Sequence, residues 1–408
     1  MKTILVKDLR EGLVFSEPVY IDEDSLFVPA MAEIRERDIN RLTSLGIESV
    51  ETTGEIVFRE IEREIEKEIE KEKEKEKEKE PLSPGIKPIE ITTNNVARER
   101  IKVTLSPQEP FRTYLDLIEL LGDICRRIES GALVDTGFVD DIASLLLKAV
   151  REMRNSFIAL ILCGEVKGYT MAKSLVNSAI LSGLIATEMK LPDEKVLHII
   201  TGALLHDVGM LRIPKEIVEK KGGLSNAELQ RIQSHTLYAY KIVSQELRYP
   251  EEVGAIVLQH HERWDGEGYP RRLIGQAIDL GARIVSVADA FEAMVSKKPY
   301  RNSMIGYQAM KNLLSDNLRR FDPDVVKALV RTMGIYPIGS FILLNNGAMA
   351  RVVDVKATAP LRPTIRILIN EAGKVFKQDE GKVVDLIAEK RLFIARAVDP
   401  KEITGKNV

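Results

Sequence analysis

The chain has 408 residues, of which 44% are hydrophobic and 30% charged, so it is long enough for two or three domains with a sizeable core. No apolar run approaches the ~20 residues of a membrane-spanning helix, and early charges exclude a signal peptide, so we expect a cytoplasmic protein without a membrane partner. The net charge of −3 comes from segment 59–80, with eleven glutamates against eight basic residues, and no basic stripe elsewhere suits DNA.

Residues 1–58 are predicted to form a small α/β module. Short alternating apolar stretches predict strands at Thr3–Val6, Val14–Ile21 and Leu26–Val28. A helical pattern over 35–45 is stopped by Gly46. Because no residue of this module carries chemistry, we expect it to serve as a docking module for a signalling protein partner.

Residues 59–108 are predicted to be a charged linker. In its strictly alternating Glu/Lys part, i,i+4 neighbours have like charges and i,i+3 neighbours have opposite charges, so the local support for a helix nearly cancels. We therefore expect a frayed, solvated helix that ends before Pro81.

Residues 109–335 show the apolar period of long helices and are predicted to form an all-helical domain. After Gly334 the pattern changes to short β-branched runs separated by Asn-Gly, Pro and Gly turn signals. Residues 336–400 are therefore predicted to form a small β-barrel-like C-terminal extension, and the fold class of the whole chain is mainly α.

The two cysteines, Cys125 and Cys163, lie in separate apolar segments of the helical part, without metal-ligand spacing. This placement predicts buried, reduced thiols rather than a metal site or a disulfide.

All five histidines lie between residues 198 and 261, and four of them stand in distinctive settings. Adjacent polar pairs occur in two of these settings, His206-Asp207 in LLHDVG and His260-His261 in HHERWDGEGYP. Imidazoles and carboxylates on separate packed helices are how a helical core gathers a site for a first-row transition metal. The candidate site residues on these helices are His206, Asp207, His235, His260, His261 and Asp289.

The alternative to metal binding for each histidine is a structural role in the core or at a helix end. A lone histidine at the end of an apolar helix is more often a core or capping residue, and His198 fits that description. It lies eight residues before His206, or ~12 Å of helical rise, which is too far to share an ion. Two vicinal polar pairs on apolar helices, by contrast, would be expensive to bury without a shared partner.

The segments LLHDVGMLRIP, HHERWDGEGYP and ARIVSVADAFEAMVSKKPYR resemble the HD-GYP domain, a branch of the HD metal-dependent phosphohydrolases. The resemblance covers about residues 110–335, over half of the chain. It implies an enzyme that hydrolyses the bacterial messenger cyclic-di-GMP to linear pGpG or to GMP. It further implies one or two divalent transition-metal ions, iron or manganese, that activate a bridging hydroxide for in-line attack.

The same resemblance implies a role for each candidate residue. All six would be metal ligands, and Asp207 would bridge two ions as the catalytic carboxylate. The substrate-binding residues that it implies are Gly268, Tyr269, Pro270, Lys298 and Arg301.

Two departures from the family pattern leave two functions open. Under ungapped spacing from His206, Ser174 replaces a further histidine ligand of the family, and Met210 replaces the lysine that ends the HD-x-G-K motif. The metal position of Asp207, His235, His260 and His261 keeps its full ligand set, whereas the position of His206, Asp207 and Asp289 lacks an imidazole. The chain is therefore either a working phosphodiesterase or a weakened module that binds cyclic-di-GMP or a protein as a signalling component.

Overall fold

A computed structural model describes most of the chain. The described residues are 2–6, 9, 17–21, 26–28, 34–53, 110–163, 170–220, 222–296, 304–315, 320–376 and 380–398. They fall into two compact units, one with the described residues of 2–53 together with 271–274, the other with those of 110–270 and 275–398. The predicted linker, 59–108, lies outside the described residues.

The N-terminal unit contains a four-stranded antiparallel sheet of order β1-β4-β2-β3 and one helix. Its elements are β1 (Lys2–Leu5), β2 (Val19–Tyr20), β3 (Leu26–Val28), α1 (Glu36–Ser44) and β4 (Ser49–Thr52). The helix and the strands β1 and β3 agree with the sequence prediction to within one residue at each end. Of the predicted strand Val14–Ile21, residues 14–16 lie outside the described residues, and the structure has the shorter strand β2 in its second half. The central strand β4 was not predicted, because SVET holds a single strongly apolar residue, Val50, which is fully buried beside Val19.

The second unit is mainly helical, as the sequence predicts. Its helices are α2 (Pro110–Glu129), α3 (Thr136–Glu152), α4 (Arg154–Cys163), α5 (Thr170–Glu188), α6 (Asp193–Leu205), α7 (Lys215–Val218), α8 (Asn226–Gln233), α9 (His235–Lys241), α10 (Glu251–Gln259), α11 (Leu280–Val295), α12 (Gly306–Ser315) and α13 (Pro323–Met333). A 3₁₀ turn, Val208–Arg212, follows α6, and a π-helical turn, Ile242–Glu246, continues α9.

Helix α5 lies at the centre of this unit and packs on α2, α6 and α11. It is apolar around most of its circumference, which is the pattern of a helix with neighbours on all sides. Leu175, Ile180 and Ile185 are among its buried side chains. The packing of α6 and α11 on this central helix brings the end of α6 close to the middle of α11, where Asp289 lies.

Two glycines let the helices that carry candidate site residues approach closely. A Cβ atom at Gly202 of α6 would lie 2.5 Å from Cγ2 of Ile256 on α10, and one at Gly281 of α11 would lie 2.6 Å from Cδ1 of the same isoleucine. Ile256 therefore fills the space between three helices, and a larger residue at either glycine would push them apart.

The C-terminal strands form an antiparallel sheet of order β8-β7-β6-β5-β9. Its strands are β5 (Phe341–Leu344), β6 (Met349–Asp354), β7 (Thr364–Ile369), β8 (Val383–Asp385) and β9 (Ile394–Val398). The sheet is open, so the expected barrel-like closure is wrong. Its inward side chains, such as Ile342, Val352 and Ile365, belong to the same hydrophobic cluster as the helices, so the helices cover the apolar face that a barrel would have to enclose.

Polar contacts also join α4 to the sheet and to α13. Asn155 of α4 donates to the Asp354 carboxylate of β6 at 2.8 Å, and Arg154 donates to the carbonyl of Thr332 at the end of α13. The predicted boundary at residue 335 thus separates helices from strands that share one core, and as a division into domains it stays a prediction. Among the described residues, no helix is both long and apolar enough to cross a membrane.

Candidate metal centre

His206 and Asp207 lie where α6 ends and the 3₁₀ turn begins. The His206 side chain is 1% exposed, and its Nδ1–H donates to the carbonyl of Ala203 at 2.7 Å. Gly209 then allows the turn to pass directly under α9, since a Cβ at that position would lie 1.9 Å from the carbonyl oxygen of His235. The glycine of the HDVG sequence is therefore what brings His206 and Asp207 to the helix that starts with His235.

His235 and His260 are held in the same way as His206. The Nδ1–H of His235 donates to the carbonyl of Ile232 at 2.7 Å, and that of His260 donates to the carbonyl of Val257 at 2.9 Å. Because a carbonyl can only accept, Nδ1 carries the hydrogen in each ring and Nε2 of the neutral ring keeps its lone pair. This second contact is the one that commonly orients metal-binding histidines.

The three Nε2 atoms point at the Asp207 carboxylate. His235 Nε2 lies 3.2 Å and His260 Nε2 lies 3.7 Å from Asp207 Oδ1, and His206 Nε2 lies 3.7 Å from Oδ2. Four residues bring one potential ligand atom each to within 4.8 Å of the other three: Asp207, His235, His260 and His261. These four residues are the set that the sequence predicts for the fully equipped metal position.

Asp289 reaches the other side of His206 from α11. Its Oδ1 lies 3.5 Å from His206 Nε2 and accepts a hydrogen bond of 3.5 Å from Ser178 Oγ on α5. The structure therefore brings all six candidate residues to one place, with Asp207 next to both groups. That they bind metal stays a prediction.

The Gly268-Tyr269-Pro270 loop packs against the exposed side of the histidines. The Tyr269 ring stacks on the His261 ring with centroids 4.7 Å apart, and the peptide bond before Pro270 is cis. A Cβ atom at Gly268 would lie 2.3 Å from the backbone nitrogen of Arg263, so only glycine lets the loop fold back this closely. The loop thus forms a wall of the candidate site, and its place beside a substrate stays a prediction.

Burial and mutual charge set the protonation of the group in the absence of a cation. Burial lowers the pKa of His260 and, with the neighbouring imidazoles, holds the pKa of His261 well below its usual value. Burial also opposes a charge on His206, but the carboxylates of Asp207 and Asp289 outweigh it and raise the pKa of this histidine to about 9. A divalent cation would take the place of that proton.

The pKa values of the two carboxyl groups, Asp207 and Asp289, are lowered. Burial alone would raise the pKa of Asp207, but the imidazoles of His206, His235 and His260 hold it well below the ordinary value. The pKa of Asp289 is likewise lowered, against its burial, by His206. Both carboxylates are therefore ionised at neutral pH and can serve as metal ligands.

These residues fit a divalent transition metal. Within the described part of the chain, the buried Nε2 of His206 has no partner in hydrogen-bond geometry. The Nε2 atoms of His235 and His260 face each other at 3.4 Å, although both rings keep their hydrogen on Nδ1. Two lone pairs at this distance repel unless a proton or a cation lies between them. Imidazole nitrogens with carboxylate oxygens are the donor set of zinc, iron and manganese sites.

The structure separates His198 from this group, as predicted. It lies on α6 and lines a cavity together with Tyr249 and Asp140. Ser174 and Met210 are half-buried, Ser174 one helical turn before Ser178 on α5 and Met210 in the 3₁₀ turn, where its N–H donates to the carbonyl of Asp207.

Two predicted substrate contacts, Lys298 and Arg301, lie outside the described residues. Cys125 is buried, as predicted, while the side chain of Cys163 lies outside the described part.

A buried polar chain behind Asp289 was missed by the sequence analysis. Glu292, one turn further along α11, is 1% exposed and accepts from Asn177 Nδ2 at 3.3 Å and from Ser296 Oγ. Asn177 in turn accepts from the hydroxyl of Tyr114 at 2.6 Å. The signal in the sequence was the polar pair Asn177-Ser178 in a mainly apolar helix. Buried polar side chains of this kind need a polar partner.

Parts of the chain are similar to known protein families. Residues 156–325 match the model of the HD domain family, and residues 341–406 match that of the KOW domain associated with HD domains. A cyclic di-GMP phosphodiesterase of Pseudomonas aeruginosa is 29% identical over 250 residues, 61% of this chain and 60% of that protein. One of Borreliella burgdorferi is 31% identical over 228 residues, 56% of this chain and 60% of that protein.

The chain thus matches about three fifths of the length of these relatives. A 3'3'-cGAMP-specific phosphodiesterase of Vibrio cholerae is also similar, with 33% identity over 160 residues, 39% of this chain and 34% of that protein. Among solved structures, an HDG"Y"P protein of Bdellovibrio bacteriovorus aligns with 80% of this chain and 97% of its own at 17% identity and a TM-score of 0.43.

Proposed function

Since residues 156–325 of this chain form an HD domain, we propose that the chain is a metal-dependent phosphodiesterase that hydrolyses cyclic-di-GMP. The relatives named as cyclic di-GMP phosphodiesterases support hydrolase activity. The opening of the ring to linear pGpG or on to GMP is part of the proposal, as is a cytoplasmic location.

The observation that carries the proposal is the convergence of His206, His235 and His260 on Asp207. Each ring is fixed through Nδ1 by a carbonyl three residues earlier, so each Nε2 is aimed before any ligand arrives. Such preorganisation is costly for a folded core and is repaid by a bound cation.

The chain's own residues would hold the cation and orient the substrate. Asp207, His235, His260 and His261 would hold one ion, and His206, Asp207 and Asp289 a second, with iron or manganese as the expected metal. When bound, such ions lower the pKa of a water molecule and stabilise the charge that develops on a phosphodiester. Asp207 takes part in both groups and is therefore the proposed catalytic carboxylate.

Other residues would bind the substrate. Gly268, Tyr269 and Pro270 would wall the pocket on the side of His261, because Tyr269 already stacks on that ring. Lys298 and Arg301 are proposed to contact the substrate phosphates, since cations balance the two charges of a cyclic dinucleotide.

A second candidate function is a binding module without turnover. It is favoured by Ser174 and Met210, which leave the group at His206 and Asp289 without a further imidazole and without a lysine. Such a module would bind cyclic-di-GMP or a protein, and the N-terminal unit would carry the signal to a partner.

The deciding experiment is an anaerobic assay of the full chain with Fe(II) or Mn(II). Cyclic-di-GMP and 3'3'-cGAMP would be offered separately, with linear products followed by chromatography and metal content by elemental analysis. Two ions per chain with turnover of cyclic-di-GMP support the enzyme. Binding of the dinucleotide with one ion or none, and without turnover, supports the binding module, and preference for 3'3'-cGAMP would reassign the substrate.

A further inference from the structure

A second cavity, of about 560 Å³, lies in the helical unit at the opposite end of α6 from the metal centre. Its floor is made by buried side chains of three helices, Ala143 of α3, Thr201 of α6 and Val253 of α10. The volume falls within the range of small-molecule sites, ~300–1,000 Å³. His198, the histidine that the metal centre does not use, lines it.

One wall of this cavity is a strained segment between the π-helical turn and α10. Arg248 adopts φ = +57°, a left-handed conformation that is strained for a residue other than glycine. The next residue, Tyr249, holds the segment in place, because its hydroxyl donates to the Asp140 carboxylate at 2.9 Å and approaches the carbonyl of Thr136 at 3.2 Å. Strain of this kind, next to a π-helical turn, is typical of functional sites.

Three polar side chains of the lining, the exposed Arg248 and Glu194 and the half-buried His198, make no hydrogen bond or ion pair within the described part of the chain. Apolar surface from Leu197 and Pro250 lies among them. A matching ligand needs an anionic group for Arg248 and His198, donors for Glu194, and a flat apolar body.

We propose that this cavity binds a guanosine monophosphate as a second ligand site, separate from the metal centre. A phosphate pairs with a guanidinium and an imidazole, and the N1–H and N2–H₂ edge of guanine donates to a carboxylate in two parallel hydrogen bonds. The base has a flat apolar face for the leucine and proline side chains. The choice of guanine rests on the proposed function, in which GMP is an end product.

The cavity and the metal centre share helices, through which a ligand bound in the cavity would affect the metal centre. Helix α6 carries His198 and ends directly before His206, and α10 carries Val253 and ends directly before His260. The strained Arg248 segment joins α9, which starts at His235, to the start of α10. A ligand in the cavity therefore touches elements that carry most of the proposed metal ligands, which is the arrangement that product control of the reaction requires.

The test uses the full chain with its metal and measures GMP binding by isothermal titration calorimetry. Arg248→Gly removes the cation and leaves the left-handed backbone without strain, and we expect it to weaken GMP binding at least tenfold with no change in metal content. Lys190→Gly is the matched control, because Lys190 is an exposed cation at φ = +59° that does not line the cavity. It should leave GMP binding unchanged.

A second variant tests the recognition of the base. Glu194→Gln should erase the preference for GMP over AMP, which we expect to be about tenfold in the natural chain. No GMP binding, or equal binding by the natural chain and the Arg248→Gly variant, overturns the proposal, since GMP would then bind at the metal centre alone or not at all. Arg248-dependent binding in a chain without phosphodiesterase activity would keep the cavity and reject the proposed function.

Discussion

His235 Nε2 lies 3.2 Å from Asp207 Oδ1, although 27 residues, the 3₁₀ turn among them, lie between the two in the chain. The backbone carbonyl oxygen of His235 leaves no room for a side chain at Gly209, which follows Asp207 by two residues. The contact is therefore positioned by the packing of the backbone at Gly209.

Asp207→Asn should remove metal from both proposed positions. The neutral amide loses the charge that faces three imidazoles, and even indirect contacts to metal ligands are worth ~10–100-fold in metal affinity. We expect a loss of metal affinity beyond that range, measured by elemental analysis after dialysis and by Mn(II) titration.

Two variants make this result specific. Asp289→Asn should reduce the metal content by one ion only, because Asp289 contacts His206 but belongs to the second group. His198→Ala, which alters a histidine outside the centre, should retain full metal content. Equal metal in the natural chain and in Asp207→Asn contradicts the assignment.

Gly268→Ala should displace the loop that stacks on His261. The new methyl carbon would lie 2.3 Å from the nitrogen of Arg263, and overpacking of this kind costs about 1–3 kcal/mol. We expect a lower unfolding temperature and weaker binding of cyclic-di-GMP. Gly223→Ala is the control, since a Cβ at Gly223 has nothing within 4 Å and should change neither quantity.

Cys125 should resist thiol reagents while the chain is folded. Burial raises the pKa of its thiol to about 12, so at pH 8 only about one thiol in 10⁴ is the reactive thiolate. In a Cys163→Ser background, mass spectrometry should show no iodoacetamide adduct in buffer and full labelling in urea. Rapid labelling of the folded chain would show that α2 opens to solvent.

The sequence predicted the convergence of the site better than its surroundings. His206, His235 and His260 stand on separate apolar helices, and burying an imidazole there without a shared partner is costly, so their meeting could be predicted. The contact between Ser178 and Asp289 could not, because a serine in an apolar helix can also bond to its own backbone. Only the packing of α5 on α11 decides between these partners.

The ends of the chain were harder to predict for a related reason. The alternating pattern of β5 to β7 gave the strands, but whether a sheet closes on itself depends on what covers its apolar face. Here the helices that bury Ile342 and Val352 supply that cover, which local sequence does not show. Strand β4 shows the same limit, since one valine in SVET is too little pattern for a central strand.

The last prediction is that Ser174 and Met210 weaken the proposed enzyme. A serine hydroxyl is a poor ligand for a divalent transition metal at neutral pH, and methionine cannot neutralise a phosphate. Ser174→His with Met210→Lys should therefore raise the occupancy of the second ion and the rate of cyclic-di-GMP hydrolysis together. A charge-assisted contact to phosphate is worth about 1.5–3 kcal/mol, so the rate at low substrate should rise roughly 10- to 100-fold.

The control for this double variant is Ser174→Ala with Met210→Leu, which changes both positions without adding a ligand or a charge and should gain neither metal nor rate. Adding Asp207→Asn to the Ser174→His, Met210→Lys chain should abolish the gain, because the carboxylate shared by both groups is lost. Elemental analysis and product chromatography on the same samples read out the two effects. If the double variant matches the natural chain in both, these two residues do not limit the centre, and the further ligand of the second group comes from another part of the chain.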